Sequence, residues 1–363
     1  MKKFFKASLI AVALMVFFPL NILAQNNNQE LLMNELRALI RSIEGQRSTY
    51  DQMSKRFDDL MLYDMLGDIA YLDRLRLTGP PRSLTPNPEN RFSGNPLTFV
   101  AYLYIPKSVV QNKKYPLIVL PVSGVYADHY THYAHIIREL VAQEYIVVSP
   151  EYRGNGGYGR GAYDNLDFNG LEHEDILACR NHMVDYFSIV DPNRVGVIGW
   201  NRGGMMSIIQ ILKHSDKYNC AFAALPLGDL ENRLAPSEPR SSSPAPSGAQ
   251  SGGAGQNTPV QRVSPVAFAK DLRKPLLVHS NNVSGDKVYA EEVLSVIESL
   301  KSNQRNFEHK VFEALPGEQS ADRIDTESSS EARYAVHKFL ERYLNPPKPF
   351  RSYEDMRRAA YTH

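Results

Sequence analysis

Apolar positions in the first part of the chain recur at helical spacing. Leu31, Leu32, Leu36, Leu39 and Ile40 give the three-and-four repeat of an amphipathic helix over residues 30–43. Phe57, Leu60, Met61, Tyr63, Met65 and Leu66 continue the pattern. Pro80, Pro81, Pro86 and Pro88 then mark a loop. From residue 97 the rhythm changes. Short apolar runs predict strands over 97–105, 117–120, 145–148, 195–198, 221–225, 276–279 and 307–312. Longer amphipathic stretches predict helices over 132–143, 171–187, 202–213, 288–300 and 331–343. Strands alternating with helices imply a mostly parallel sheet covered on both faces.

Two segments fall outside this alternation. Lys2, Lys3 and Lys6 precede an apolar run from Ala7 to Phe18, and Ala24 supplies a small residue at a cleavage site. That is the pattern of an export signal cleaved near Ala24, which places the protein in the periplasm or outside a bacterial cell. An uncleaved membrane anchor is the alternative, although the run is shorter than the ~20 residues a span prefers. The other segment, Ala235 to Pro259, is mostly Ser, Pro, Gly and Ala. It has too little apolar surface to order itself and reads as a flexible insertion. The predicted organisation is therefore a signal (1–24), a helical flank (25–94), an α/β domain (95–345) with the insertion at 235–259, and a C-terminal tail (346–363).

Composition narrows the functions. The 363 residues carry 41 Lys plus Arg against 40 Asp plus Glu, a net charge of +1. No basic excess exists to neutralise a phosphate backbone, so nucleic acid is not an expected partner. Two cysteines, Cys179 and Cys220, make neither a disulfide framework nor a thiolate zinc cage, and are read as buried and unpaired. His129, His132 and His135 recur every third residue, but that spacing drifts around a helix, so they are read as a helix N-terminus and not as a metal site. Glu172, Glu174 and Asp175 open a predicted helix, where acids favour its dipole. Arg153 and Arg160 are read as solvated surface, with contact to an anionic group as the other reading. Nothing in the sequence calls for a cofactor.

The motif with chemical content is Val195-Gly196-Val197-Ile198-Gly199-Trp200-Asn201-Arg202-Gly203-Gly204, a strand that runs through glycines into a helix. This is the outline of a nucleophile elbow, whose central residue takes a positive φ. Asn201 occupies that centre. Asn tolerates positive φ, but a carboxamide is a poor nucleophile at neutral pH.

The surroundings of this elbow resemble the prolyl-oligopeptidase-like serine peptidases of the α/β-hydrolase superfamily. The resemblance rests on Ser149-Pro150-Glu151-Tyr152-Arg153-Gly154 with Gly156-Gly157-Tyr158-Gly159, on Gly170-Leu171-Glu172, on Asp191-Pro192-Asn193-Arg194-Val195 and on Asp322-Arg323-Ile324-Asp325. It covers about residues 95–345 and implies an α/β-hydrolase fold with a doubly wound sheet. The family's catalytic positions, carried over one by one, give a degenerate set. The nucleophile position is Asn201. The acid position falls on Ser284 or Gly285, with Asp286 close enough to substitute. The base position, in the turn Pro316-Gly317-Glu318-Gln319, is Gln319. On the oxyanion side the resemblance points to backbone donors at Val122 or Ser123 and at Arg202. Tyr126, Tyr130, Tyr133 and Trp200 fall near the pocket mouth, either as stacking surfaces for a ligand or as core. Ser123 is also a candidate displaced nucleophile.

Three functions remain open at this point. One is an exported, catalytically inactive member that binds a peptide, a small ligand or a protein partner in the former cleft. Another is an active peptidase or esterase with a displaced catalytic group. The third is an interaction protein working through the flank and the insertion.

Overall fold

The structure is a computed structural model. It describes residues 33–81, 94–121, 131–158, 162, 165, 170–226, 228, 264–281, 287–313 and 323–360, except 44 and 47. The export signal, the 235–259 insertion, Val122, Ser123, Tyr126, Ser284, Asp286 and Gln319 lie outside the described residues. The chain divides into two compact units, Met1–Met53 and Ser54–His363. Described residues of the first unit are helical, and Leu36, Leu39, Ile40 and Ile43 there are 45–57 % exposed.

The second unit opens with a helix, α1, over 54–66. An eight-stranded sheet and its helices follow, in the order β1 (Ala70–Pro81), β2 (Pro96–Pro106), β3 (Tyr115–Val119), α2 (Ala134–Ala142), β4 (Ile146–Glu151), α3 (Glu172–Tyr186), β5 (Val190–Trp200), α4 (Asn201–Lys213), β6 (Cys220–Ala224), α5 (Pro265–Phe268), β7 (Leu276–Asn281), α6 (Lys287–Ser302), β8 (Glu308–Phe312), α7 (Glu327–Leu344) and α8 (Tyr353–Ala359). In space the strands run β1-β2-β4-β3-β5-β6-β7-β8. β1 and β2 pair antiparallel, as do β2 and β4, and every other pair is parallel.

The alternation of side chains divides the core in two. Ala101, Leu103, Leu117, Val119, Ile146, Val148, Val195, Val197, Ala221, Ala223 and Val278 face α3, α4 and α6. Their neighbours Tyr102, Tyr104, Ile118, Val147, Ile198, Trp200, Phe222 and Leu277 face α1, α2 and α7. The central strands are buried on both sides, which is why they read as continuous apolar runs.

The sheet begins earlier than the expected domain boundary at 95. β1 pairs with β2 from Ala70↔Pro106 to Pro81↔Pro96. It is an edge strand with Asp73, Arg74 and Arg76 exposed, so its pattern is mixed and its prolines sit at the end of pairing. The C-terminal tail is part of the fold as well. α8 lies against α2 and α7, and Met356 on it is fully buried. Ser352 caps that helix by accepting from the Asp355 N–H. Both cysteines are free and buried, and burial pushes both thiols well above their ordinary pKa.

Candidate functional site

The centre of the parallel sheet ends in the β5–α4 turn. β5 reaches Trp200 in extended conformation, and one residue later the chain is helical. Asn201 makes that change of direction with φ 50°, the left-handed conformation that non-Gly residues rarely adopt. The glycines around it permit the close approach. A Cβ on Gly199 would lie 2.3 Å from the carbonyl carbon and oxygen of Gly203, and one on Gly204 would lie 2.9 Å from the Ala224 oxygen. Strand and helix therefore touch backbone to backbone, and Asn201 is lifted at the carboxyl end of the sheet, where open α/β sheets bind ligands.

The first-turn N–H groups of α4, Arg202 among them, have no partner within the helix. That is the arrangement an oxyanion hole uses. The neighbouring strand end carries a second unusual residue. Leu225, just past β6, has φ 47°, and its N–H donates to the His279 carbonyl at 2.8 Å. Nothing in the local sequence signals it.

Beneath the turn, on the α2/α7 face, runs a row of rings. Tyr133 lies 5.6 Å from Trp200, Trp200 lies 5.3 Å from Phe222, Phe222 lies 4.8 Å from His279, and His279 lies 4.4 Å from Phe312, centroid to centroid. Trp200 is 2 % exposed and Tyr133 is 4 % exposed. Both indole and phenol are thus core, not the exposed stacking surfaces that one of the sequence readings allowed. Burial also lowers the His279 pKa to about 3, aided by Lys310 and His309, so its ring is neutral.

On the α3/α4 face lies a belt of charge. The Arg202 guanidinium meets Glu172 Oε1 at 2.7 Å and sits over the Tyr152 ring. Arg202 can therefore offer a group placed at the turn its backbone N–H but not its side chain. Arg153 grips Asp175 with two side-chain hydrogen bonds of 2.7 Å and a backbone one of 3.0 Å, and also donates to the Pro80 carbonyl. Burial raises the Asp175 pKa against the pull of Arg153. These contacts correct one expectation and add to another. Arg153 is 2 % exposed and not solvated surface, while Glu172 and Asp175 stand in the first turn of α3 as expected and are ion-paired interior groups as well. The sequence could not show this, because each partner comes from a different segment.

Other expected residues fall away from the turn. His132 is exposed and His135 buried, while His129 lies outside the described residues. His337 is buried and bonded to Glu139 at 3.0 Å and Gln143 at 2.9 Å. Burial pushes the Glu139 carboxyl up, but His337 and Arg333 together hold it below its ordinary range. His337 is therefore a structural group within α7.

A doubly wound sheet with this strand order and a turn of this kind between its fifth strand and the next helix defines an α/β-hydrolase-fold protein. A family model sharpens the class. The prolyl oligopeptidase family matches residues 131–345, well over half of the chain, and the chain belongs to that family. Dipeptidyl-peptidase 5 of Porphyromonas gingivalis is 30 % identical over 135 residues, which is 36 % of this chain and 19 % of that protein. Dipeptidyl peptidase 8 of Mus musculus is 25 % identical over 138 residues, covering 36 % of this chain and 15 % of that one. Among solved structures, the acylaminoacyl peptidase of Pyrococcus horikoshii superposes with a TM-score of 0.55 at 16 % identity, over 82 % of this chain and 45 % of that one. This last likeness speaks to the fold. The matches take in less than half the length of each of these relatives.

Proposed function

We propose that this chain is a non-hydrolytic member of the prolyl oligopeptidase family. It is exported, and it binds a peptide, a small ligand or a protein partner in the cleft above the β5–α4 turn. The observation that carries this reading is Asn201 at the elbow centre. The turn keeps the backbone a nucleophile would need, and the side chain on it is a carboxamide. Gln319 at the base position and Ser284 at the acid position, assigned by resemblance, point the same way. Losing one member of such a triad lowers turnover by ~10⁴ to 10⁶, and losing all of them lowers it little further. The charged N-terminus with its apolar run supports export. Among the described residues no helix is long and apolar enough to cross a membrane.

The test is hydrolysis of p-nitrophenyl esters and peptide p-nitroanilides by the purified chain, with fluorophosphonate labelling alongside. The expected result is no labelling and no turnover above the Asn201→Gln control. Activity regained in an Asn201→Ser, Gln319→His double variant would show an open cleft. Wild-type turnover that labels Ser123 and vanishes in Ser123→Ala would overturn the reading in favour of a displaced nucleophile.

A further inference from the structure

Away from the turn, three ligating side chains converge where the first turn of α3 meets the end of α4. His173 and Glu174 belong to α3, and His214 is the residue that follows α4. His173 Nδ1 lies 3.4 Å from Glu174 Oε1 and 3.4 Å from His214 Nε2, and His214 Nε2 lies 3.8 Å from that same Glu174 oxygen. One atom from each side chain thus forms a triangle.

The size of this triangle is informative. N–H···O hydrogen bonds cluster at ~2.7–3.2 Å, so all three sides are too long for good ones. Zinc binds imidazole nitrogen and carboxylate oxygen at ~2.0–2.2 Å, and tetrahedral angles then separate neighbouring ligand atoms by ~3.3–3.5 Å. Two sides match and the third is within reach of a small rotation of Glu174, whose side chain is 33 % exposed.

The triangle is also held in place. Gln210 on α4 donates to the His173 carbonyl, and the His214 N–H donates to the Gln210 carbonyl at 2.9 Å. The exposed Lys213 reaches over the Phe268 ring at 5.2 Å from its centroid, Lys217 pairs with Asp216 at 2.9 Å, and Arg153 is held by Asp175.

We propose that His173, Glu174 and His214 bind a divalent transition ion of the zinc class, with water in the fourth position on the solvent side. The ion would fasten the first turn of α3 to the end of α4, the helix that carries Asn201 at its other end. Glu172, in the same turn of α3, already holds Arg202. The site depends on neither the hydrolytic nor the non-hydrolytic reading of the elbow.

The experiment is titration of the tag-free, chelator-stripped full chain with zinc chloride by calorimetry. One equivalent is expected, with a rise in Tm that EDTA reverses. Glu174→Gln and His214→Ala are each expected to weaken binding at least ~10-fold, the loss that even outer-shell changes produce. Cobalt(II) in place of zinc should give the intense visible absorption of a tetrahedral site. No stoichiometric binding, or binding that survives both substitutions, overturns the proposal. Circular dichroism checks that the variants are folded. If His214→Ala is not, Glu174→Gln decides alone, because that change is nearly isosteric at a side chain one-third exposed.

Discussion

The sheet beneath the β5–α4 turn has an aromatic face and an ionic face. On the α2/α7 side, Tyr133, Trp200, Phe222, His279 and Phe312 pack in a row by edge-on and tilted contacts. On the α3/α4 side, Arg202–Glu172 and Arg153–Asp175 form buried pairs with side chains at most 1 % exposed. The difference teaches how the turn is held. The rings contribute dispersion and apolar burial, which depend on close fit but not on pairing with one particular partner. The ion pairs contribute direction, since each charge must find its partner or remain uncompensated in a low dielectric. Among the described residues, neither face places a nucleophile or a base at the turn. Both are frameworks for it.

The sharpest way to break this comparison is to remove one charge from the ionic face. Arg153→Met leaves the Asp175 carboxylate buried without its guanidinium, and strips the Pro80 carbonyl of a donor. Such a change is expected to destabilise by about 3–5 kcal/mol. Replacing both partners, as Arg153→Met with Asp175→Leu, should recover much of that loss. The measurement is urea denaturation of the three chains. Equal loss in single and double variants would mean that Arg153 acts by packing and not by pairing.

The ionic face was also where the sequence was least readable. Strand and helix periods, the Gly-Trp-Asn-Arg-Gly turn and the positive φ at Asn201 are all local patterns, and the residues themselves announce them. Trp200 was visible as large and apolar, but whether it faces a cleft or a core depends on Tyr133 and Phe222, two distant segments. Glu172 and Arg202 stand thirty positions apart, and His173 meets His214 across forty-one. A helix-dipole reading of Glu172, Glu174 and Asp175 accounts for their position in the chain and misses their partners. β1 was hidden for another reason. An edge strand with exposed charges at consecutive positions lacks both the continuous apolar run and the clean alternation that mark the other strands.

Proton linkage sharpens the contrast from the aromatic side. His279 is the only titratable ring in the row apart from the Tyr133 phenol, and burial holds its pKa at about 3. In the unfolded chain the same imidazole titrates near ~6.5. The folded value is depressed, so the stability it contributes is full above about pH 6.5 and is lost as pH falls toward 3. The slope is about 1.4 kcal/mol per pH unit for one proton. His173 and His214 are shifted in the same direction and act in the same window. His279→Phe keeps a ring between Phe222 and Phe312 and removes the proton. Urea midpoints between pH 6 and 4 should therefore fall less steeply in that variant by close to one proton's worth. Parallel pH profiles in the two chains would mean that His279 is already neutralised in the unfolded state or is solvated in the folded one.

The smallest effect concerns the turn itself, and it separates backbone from side chain at the residue on which the functional reading rests. At φ 50° glycine has no steric penalty, Asn has little, and a β-branched residue is strained by about 1–3 kcal/mol. If Asn201 is held for its backbone, Asn201→Gly should change stability by less than about 1 kcal/mol while Asn201→Val loses more. The close packing of Gly199 against Gly203 leaves the turn no other route, so the strain in Asn201→Val cannot relax by moving the helix away. Equal losses in both variants would instead assign the carboxamide a contact of its own. A bound ligand then discriminates further. A side chain needed only for the turn leaves affinity for that ligand unchanged in Asn201→Gly, whereas a side chain that reads the ligand weakens binding in a protein of nearly unaltered stability.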